Sequence, residues 1–241
     1  MADSRTALLP FDAVLTSTAR IHAACWRSMF DDFLRRRASD GQSFTPFDIE
    51  GDYKAYGDGK PRYEGVRSFL ESRSIELPYG SPDDHPDTES VCGLGNRKDE
   101  LVKQAIAAGK VEAYPGSVTL VRELRKRKML MAVVSSSNNC KEVLDVAGLA
   151  DLFDARVDGI VATEQGLHGK PTPDTYLYAA RTLHVPPERA VVVDDALAGV
   201  EAGRAGGFGL VVGVDRGDVG AALRQHGADI VVTDLAELIP N

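Results

Sequence analysis

Three short segments of this chain carry residue types that could do chemistry together. Val191-Val192-Val193-Asp194-Asp195-Ala196 sets two adjacent carboxylates at the end of a fully apolar run. Paired carboxylates there suit a hard cation such as Mg2+, although helix N-capping would account for one of them. Ser135-Ser136-Ser137-Asn138-Asn139 follows a second apolar run and opens a helical pattern. Hydroxyls and backbone N–H groups at a helix N-terminus make an anion site, and an ordinary cap reads equally well. Gly169-Lys170-Pro171-Thr172-Pro173-Asp174 places a lysine just ahead of a proline-started helix. Taken alone, such a lysine is simply solvated.

The elements that must position these segments are legible in the periodicity. Residues 5–15 read as a short buried strand. From Thr18 to about Arg37, Ile21, Cys25, Met29 and Phe33 recur at every fourth position, with His22, Trp26, Phe30 and Leu34 alongside, which makes a broad apolar stripe on a helix. A polar stretch punctuated by Gly and Pro covers 39–63, with helical patterns near 63–73 and 97–109 and loop material between them. After Tyr114-Pro115-Gly116 the pattern changes. Helices at 117–127, 138–147, 173–183, 197–205 and 217–226 alternate with strands at 129–134, 156–161, 190–193, 208–214 and 230–232. Short Val-rich runs between amphipathic helices predict a doubly wound, Rossmann-like α/β core with a buried parallel sheet. About 100 mostly helical residues separate the first strand from the others, which predicts an inserted helical cap. The expected core is 1–17 with 115–241, and the expected cap is 18–114. Ligands of such sheets bind at the carboxyl ends of the strands, and these segments follow a strand or lie close to one.

In this order and spacing, the segments resemble the motifs of the haloacid dehalogenase (HAD) superfamily, and most closely the β-phosphoglucomutase-like phosphatases and mutases. The resemblance covers nearly the whole chain. It includes Thr18-Ala19-Arg20-Ile21-His22 with Trp26, Asp58-Gly59-Lys60, Arg62, Gly65-Val66-Arg67 and Asn96-Arg97-Lys98 in the cap. The first motif of the family ends a strand in Asp-x-Asp-Gly, and its first Asp is the nucleophile. Aligned without gaps, that Asp falls on Pro10, the second on Asp12, the Gly on Ala13 and a later Asp on Ser17. Asp12 does not stand in for the lost group in this alignment. Two residues along a strand is a shift of about 6.5 Å, while in-line attack needs atoms within about 3–3.5 Å. A gapped alignment would bring Asp12 into register at the cost of a shorter loop.

The resemblance implies a set of roles. Ser135, Ser136 and Lys170 would bind phosphoryl oxygens, and Arg62 and Lys98 would help to hold a sugar phosphate from the cap. Asp194 and Asp195, with Asp12, would hold Mg2+. Asp12 would be the general acid/base, with Lys170 and His22 also in the catalytic set; His22 packed beside Trp26 in the helix stripe is the alternative for that residue. The step without a residue is attack on phosphorus to form an aspartyl-phosphate. Three functions therefore follow from the resemblance. One is a divergent enzyme that binds a phosphorylated or diphosphate small molecule with Mg2+ and uses Asp12 without a phosphoaspartate. The others are a residual sugar-phosphate phosphatase or mutase, and an inactive HAD protein acting as a binder.

Composition narrows the partners. The chain has 241 residues and a net charge of −8, which argues against a nucleic-acid groove and leaves room for a small anion where positive groups gather. No apolar run approaches a membrane span, so a cytoplasmic location is expected, as a monomer or weak dimer. Cys25, Cys92 and Cys140 are odd in number and lack metal or CxxC spacing, so they read as reduced, buried thiols.

Overall fold

The computed structural model describes residues 6–10, 12–38 and 44–239, and for residues 6–10, 12 and 13 the backbone path alone. The chain divides into two compact units, Met1–Ser17 with Val111–Asn241, and Thr18–Lys110. The return to the first unit lies at Val111, a little before the Pro115 of the expected boundary. Within that unit, the outgoing and returning strands of the chain pair with each other. Thr16 and Ala113 form an antiparallel bridge, Ser17 N–H donates to Glu112 O at 2.8 Å, and Tyr114 N–H donates to Leu15 O at 2.9 Å.

In chain order, the elements begin with β1 (Thr6–Pro10) and α1 (Asp12–Leu15) of the first unit. The second unit follows with α2 (Thr18–Arg37), α3 (Arg62–Ser72) and α4 (Val91–Ala107). The first unit resumes with α5 (Pro115–Lys126), β2 (Met131–Val134), α6 (Cys140–Ala147), β3 (Ala155–Val157), α7 (Gly159–Glu164) and α8 (Asp174–Thr182). It ends with β4 (Ala190–Asp194), α9 (Leu197–Ala205), β5 (Leu210–Val214), α10 (Gly220–Gln225) and β6 (Ile230–Val232).

The six strands form one parallel sheet in the order β3-β2-β1-β4-β5-β6, the doubly wound arrangement expected of this sequence. Each strand runs the same way because each crossover returns through a helix, and the helices bury both faces. Met131 to Val134 of β2 are all buried. Tyr176, Ala179 and Ala180 of α8 and Val200 and Ala202 of α9 pack with Val134, Val192 and Val211 of the sheet. After β1 the chain winds outward through β2 and β3, then crosses to β4 on the other side. The topological switch point is therefore between β1 and β4, where this class of sheet opens a crevice beyond its carboxyl edge.

Two predicted strands stop short. The run expected over 5–15 is a strand only to Pro10, which pairs with Val134, and α1 begins at Asp12. Proline has no N–H to extend the ladder, so the pairing closes there. The strand expected over 156–161 ends at Val157, because the Asp158 carboxylate accepts the Val161 N–H at 3.0 Å and caps α7.

The second unit is helical around an aromatic core. Phe30 lies 5.4 Å from Trp26, 5.2 Å from Phe47 and 4.0 Å from Phe69 by ring centroids. The stripe read from Cys25, Trp26, Met29, Phe30, Phe33 and Leu34 is the buried face of α2. Helix α4 starts at Val91, ahead of the pattern expected from 97, because Ser90 accepts the Gly93 N–H at 2.9 Å and begins it. Residues Ile49–Gly57, inside the stretch expected to be irregular, wind as a π-helical turn begun by Asp48, which accepts the Gly51 N–H at 2.8 Å. All three cysteines are free thiols and buried.

Candidate functional site

β2 and β4 flank β1, so the loops after Val134 and Asp194 open on either side of the end of β1. Ser135 follows β2 directly and is held by its neighbour strand, its N–H donating to Val157 O at 2.9 Å. Its hydroxyl accepts the Ser137 N–H at 3.1 Å, and the Ser137 hydroxyl accepts the Asn139 N–H at 3.2 Å. These two short turns wind the chain into α6, with Asn139 at its start. Gly159 closes the loop from the β3 side. Its N–H donates to Ser137 O at 3.2 Å, and a Cβ there would overlap the Asn138 side-chain oxygen. Ser135 is buried and Ser136 is half-buried.

Asp194, the last residue of β4, is the hub of the site. Its Oδ2 accepts from Lys170 Nζ at 2.9 Å and from the Tyr176 hydroxyl at 2.5 Å, and its Oδ1 accepts the Ala196 N–H at 2.9 Å. Lys170 and Asp194 are 5% and 2% exposed as side chains, so neither charge can rely on water. A buried ion pair persists where extra hydrogen bonds satisfy its remaining atoms, and Tyr176 and Ala196 supply them for the carboxylate. The Lys170 ammonium also lies 5.4 Å from the centroid of the Tyr176 ring. Burial, and after it the Asp194 charge, holds the Tyr176 hydroxyl well above its ordinary 10.0. The carboxylate rests against Gly199 in the first turn of α9, where a Cβ would overlap it. The lysine loop is itself braced, with Asp174 accepting the His168 N–H at 3.1 Å and Thr172 bonding Gly169 O at 2.9 Å.

The structure thus brings Lys170 and Asp194 into direct contact and sets Ser135 and Ser136 at the same edge of the sheet. Asp195 is half-buried beside them. The side chains of Pro10, Asp12 and Ala13 lie outside the described residues; the backbone puts Pro10 at the end of β1 and Asp12 at the start of α1.

In the second unit, His22 and Lys98 are both buried, with Lys98 Nζ 2.8 Å from His22 Nδ1 and 5.0 Å from the Trp26 ring centroid. Arg62 bonds Asn96 at 3.1 Å and the Tyr63 hydroxyl at 2.9 Å, and pairs with Asp99 at 3.1 Å.

Mg2+ takes near-octahedral oxygen donors, keeping several waters and using one or two carboxylates plus substrate phosphate. The donors at this edge are largely committed. Asp158, Asp215 and Asp234 accept backbone N–H groups of the helical turns that follow them. Asp194 already balances the Lys170 ammonium, and Pro10 brings no side-chain oxygen. Beyond these, the described residues include the half-buried Asp195 of the acidic pair. They do not fit a resident Mg2+ held by the protein alone.

Tyr176 and Gly199 are site residues that the sequence reading missed. The Gly in the first turn of a helix was a usable signal, since glycine is disfavoured there unless something approaches closely. Tyr176 gave no signal apart from its place six residues after Lys170.

The sequence model of the haloacid dehalogenase-like hydrolases matches residues 11–207. A protein named β-phosphoglucomutase from Mycobacterium tuberculosis (strain CDC 1551 / Oshkosh) is 47% identical over 239 residues, spanning 98% of this chain and 91% of that protein. One of the same name from Bacillus subtilis is 27% identical over 97% of this chain and 91% of its own. A HAD family hydrolase from Deinococcus radiodurans R1, solved with bound phosphate and sodium, is 29% identical with a TM-score of 0.67, covering 99% of this chain and 94% of that one. The β-phosphoglucomutase structure from Clostridium difficile has a TM-score of 0.78 at 22% identity, with 98% and 93% covered, a likeness of fold alone.

Proposed function

Because the chain belongs to the haloacid dehalogenase-like hydrolases, in their β-phosphoglucomutase-like group, we propose that it binds a phosphorylated small molecule of the sugar-phosphate or diphosphate kind without forming a phosphoaspartate. The observation that carries this reading is the buried Lys170–Asp194 pair at the switch point, at the same sheet edge as the Ser135 loop and beside a strand that ends in Pro10. A lysine kept at this burial, at the same sheet edge as serine hydroxyls and a helix N-terminus, suits a phosphoryl group far better than a neutral ligand. In this reading Lys170 offsets the charge of the phosphoryl oxygens, and the Ser135 and Ser136 hydroxyls donate to them. Asp12 serves as acid/base toward the organic part of the ligand, with no P–O bond broken. Pro10 has no carboxylate with which to attack phosphorus, so the covalent route of the family is closed to this chain.

Mg2+ is the ion that the family implies. The described residues do not fit it as a resident ion, so the charge of the phosphoryl oxygens falls to Lys170 and to the hydroxyls of the Ser135 loop.

The 47% identity to a protein named β-phosphoglucomutase favours a second reading, that of a weak sugar-phosphate phosphatase or mutase. Phosphate release from a panel of phosphorylated metabolites separates the two readings. Silence in the natural chain with turnover in Pro10→Asp supports the first. Release by the natural chain that disappears in Asp12→Ala overturns it in favour of the second.

A further inference from the structure

The donor set at the switch point has a consequence for how an anion is held. Asp194 Oδ2 is committed to Lys170 Nζ at 2.9 Å, which accounts for one of the two positions in the acidic pair. The Tyr176 hydroxyl, the Ala196 N–H and the close approach of Gly199 fix that carboxylate in place, so it cannot swing to a metal without breaking buried bonds. Pro10, whose backbone is in register with Val134 immediately before Ser135, is a residue type without a carboxylate at the position where the resemblance puts the family's nucleophile. A carboxylate there would repel a dianion, and a divalent cation is the usual remedy for such repulsion. With proline there, that one source of repulsion is absent.

Resting on the phosphate reading above, we infer that this site binds a phosphate dianion without a divalent metal. The Lys170 ammonium, the Ser135 loop and the start of α6 carry the anion, and Mg2+ contributes little to its affinity. Such a site is an anion receptor on a phosphotransferase scaffold, and a chelator leaves it competent. Its ligands are then phosphorylated molecules in their metal-free form.

The test is calorimetric titration of the full chain with inorganic phosphate, in excess Mg2+ and again in EDTA. The expected result is binding in both, with dissociation constants agreeing within about twofold, and loss of binding in Lys170→Gln and Ser135→Ala. Pro10→Asp keeps Lys170 and Ser135 in place and restores the negative charge. It is expected to bind phosphate about tenfold or more weakly in EDTA and to regain affinity with Mg2+. Phosphate binding by the natural chain only when Mg2+ is present overturns the inference and leaves the phosphate reading standing. An affinity in Pro10→Asp that is the same as that of the natural chain in both buffers also overturns it. Binding by the natural chain in neither buffer overturns the phosphate reading itself.

Discussion

Replacing Tyr176 by Phe removes one hydroxyl from a buried carboxylate and leaves the rest of the packing in place. The ring stays against Phe208, with centroids 5.9 Å apart and planes at 72°, and the Lys170 ammonium stays over it. What is lost is the 2.5 Å hydrogen bond to Asp194 Oδ2. A hydrogen bond to a charged group contributes about 1.5–3 kcal/mol, and leaving a buried acceptor short costs a similar amount. Asp194 retains Lys170 and Ala196, so the loss should fall at the lower end, about 1.5–2 kcal/mol. Urea denaturation followed by far-UV circular dichroism at neutral pH reads this directly.

The same variant carries a second signature at alkaline pH. The folded Tyr176 keeps its proton above the ordinary 10.0, because burial and Asp194 oppose the phenolate. Below that pH both states are protonated and the group contributes its full stability. As pH rises past it, the unfolded chain loses the proton first, so stability falls until the folded hydroxyl also titrates. Tyr176→Phe should therefore be less stable at neutral pH and fall less steeply above pH 10. A loss under about 0.5 kcal/mol with an unchanged alkaline slope would refute the hub described for Asp194.

Other consequences are as specific. Gly199→Ala forces the Asp194 carboxylate off its partners, and breaking that buried arrangement should cost about 3–5 kcal/mol in thermal or urea unfolding, far beyond the change at an unconstrained helix glycine. The Asp215 carboxyl is held below its usual 3.8 chiefly by the Val219 N–H, with Gly217 and Gly220 adding to it against a smaller effect of burial. Its stabilisation is present above 3.8 and is lost as pH falls through the lower folded value, so its carboxyl 13C titration should have a midpoint below 3.8. In the second unit, Lys98 donates to His22 Nδ1, so the neutral ring should carry its proton on Nε2. Long-range 15N correlation that shows Nδ1–H instead would contradict that pairing.

The sequence made the α/β core legible because its strands are buried on both faces. Runs such as Val191-Val192-Val193 have little alternative to a central parallel strand. The Lys170 and Asp194 segments were legible as candidates through their residue types, but their direct contact was not, since it joins positions 24 apart. Helix α4 began earlier than its apolar pattern because Gly93 and Gly95 sit in its first turns and weaken every propensity signal there. The stop of the third strand was written in Asp158-Gly159, an N-cap and a flexible residue hidden behind an apolar run that continues through Ile160 and Val161. Tyr176 shows the limit of pattern reading. At its place in α8 a tyrosine looks like core, and only the fold reveals that its hydroxyl ends on a carboxylate.

The central claim is that this chain keeps a phosphate site on a HAD scaffold and has lost the covalent step. Intact-mass spectrometry after incubation with phosphoryl donors tests it most directly, with Pro10→Asp alongside. The account predicts an unmodified mass for the natural chain and a hydroxylamine-sensitive phosphoryl adduct in the variant. A hydroxylamine-sensitive adduct on the natural chain would contradict it, because another carboxylate would then have taken over the attack.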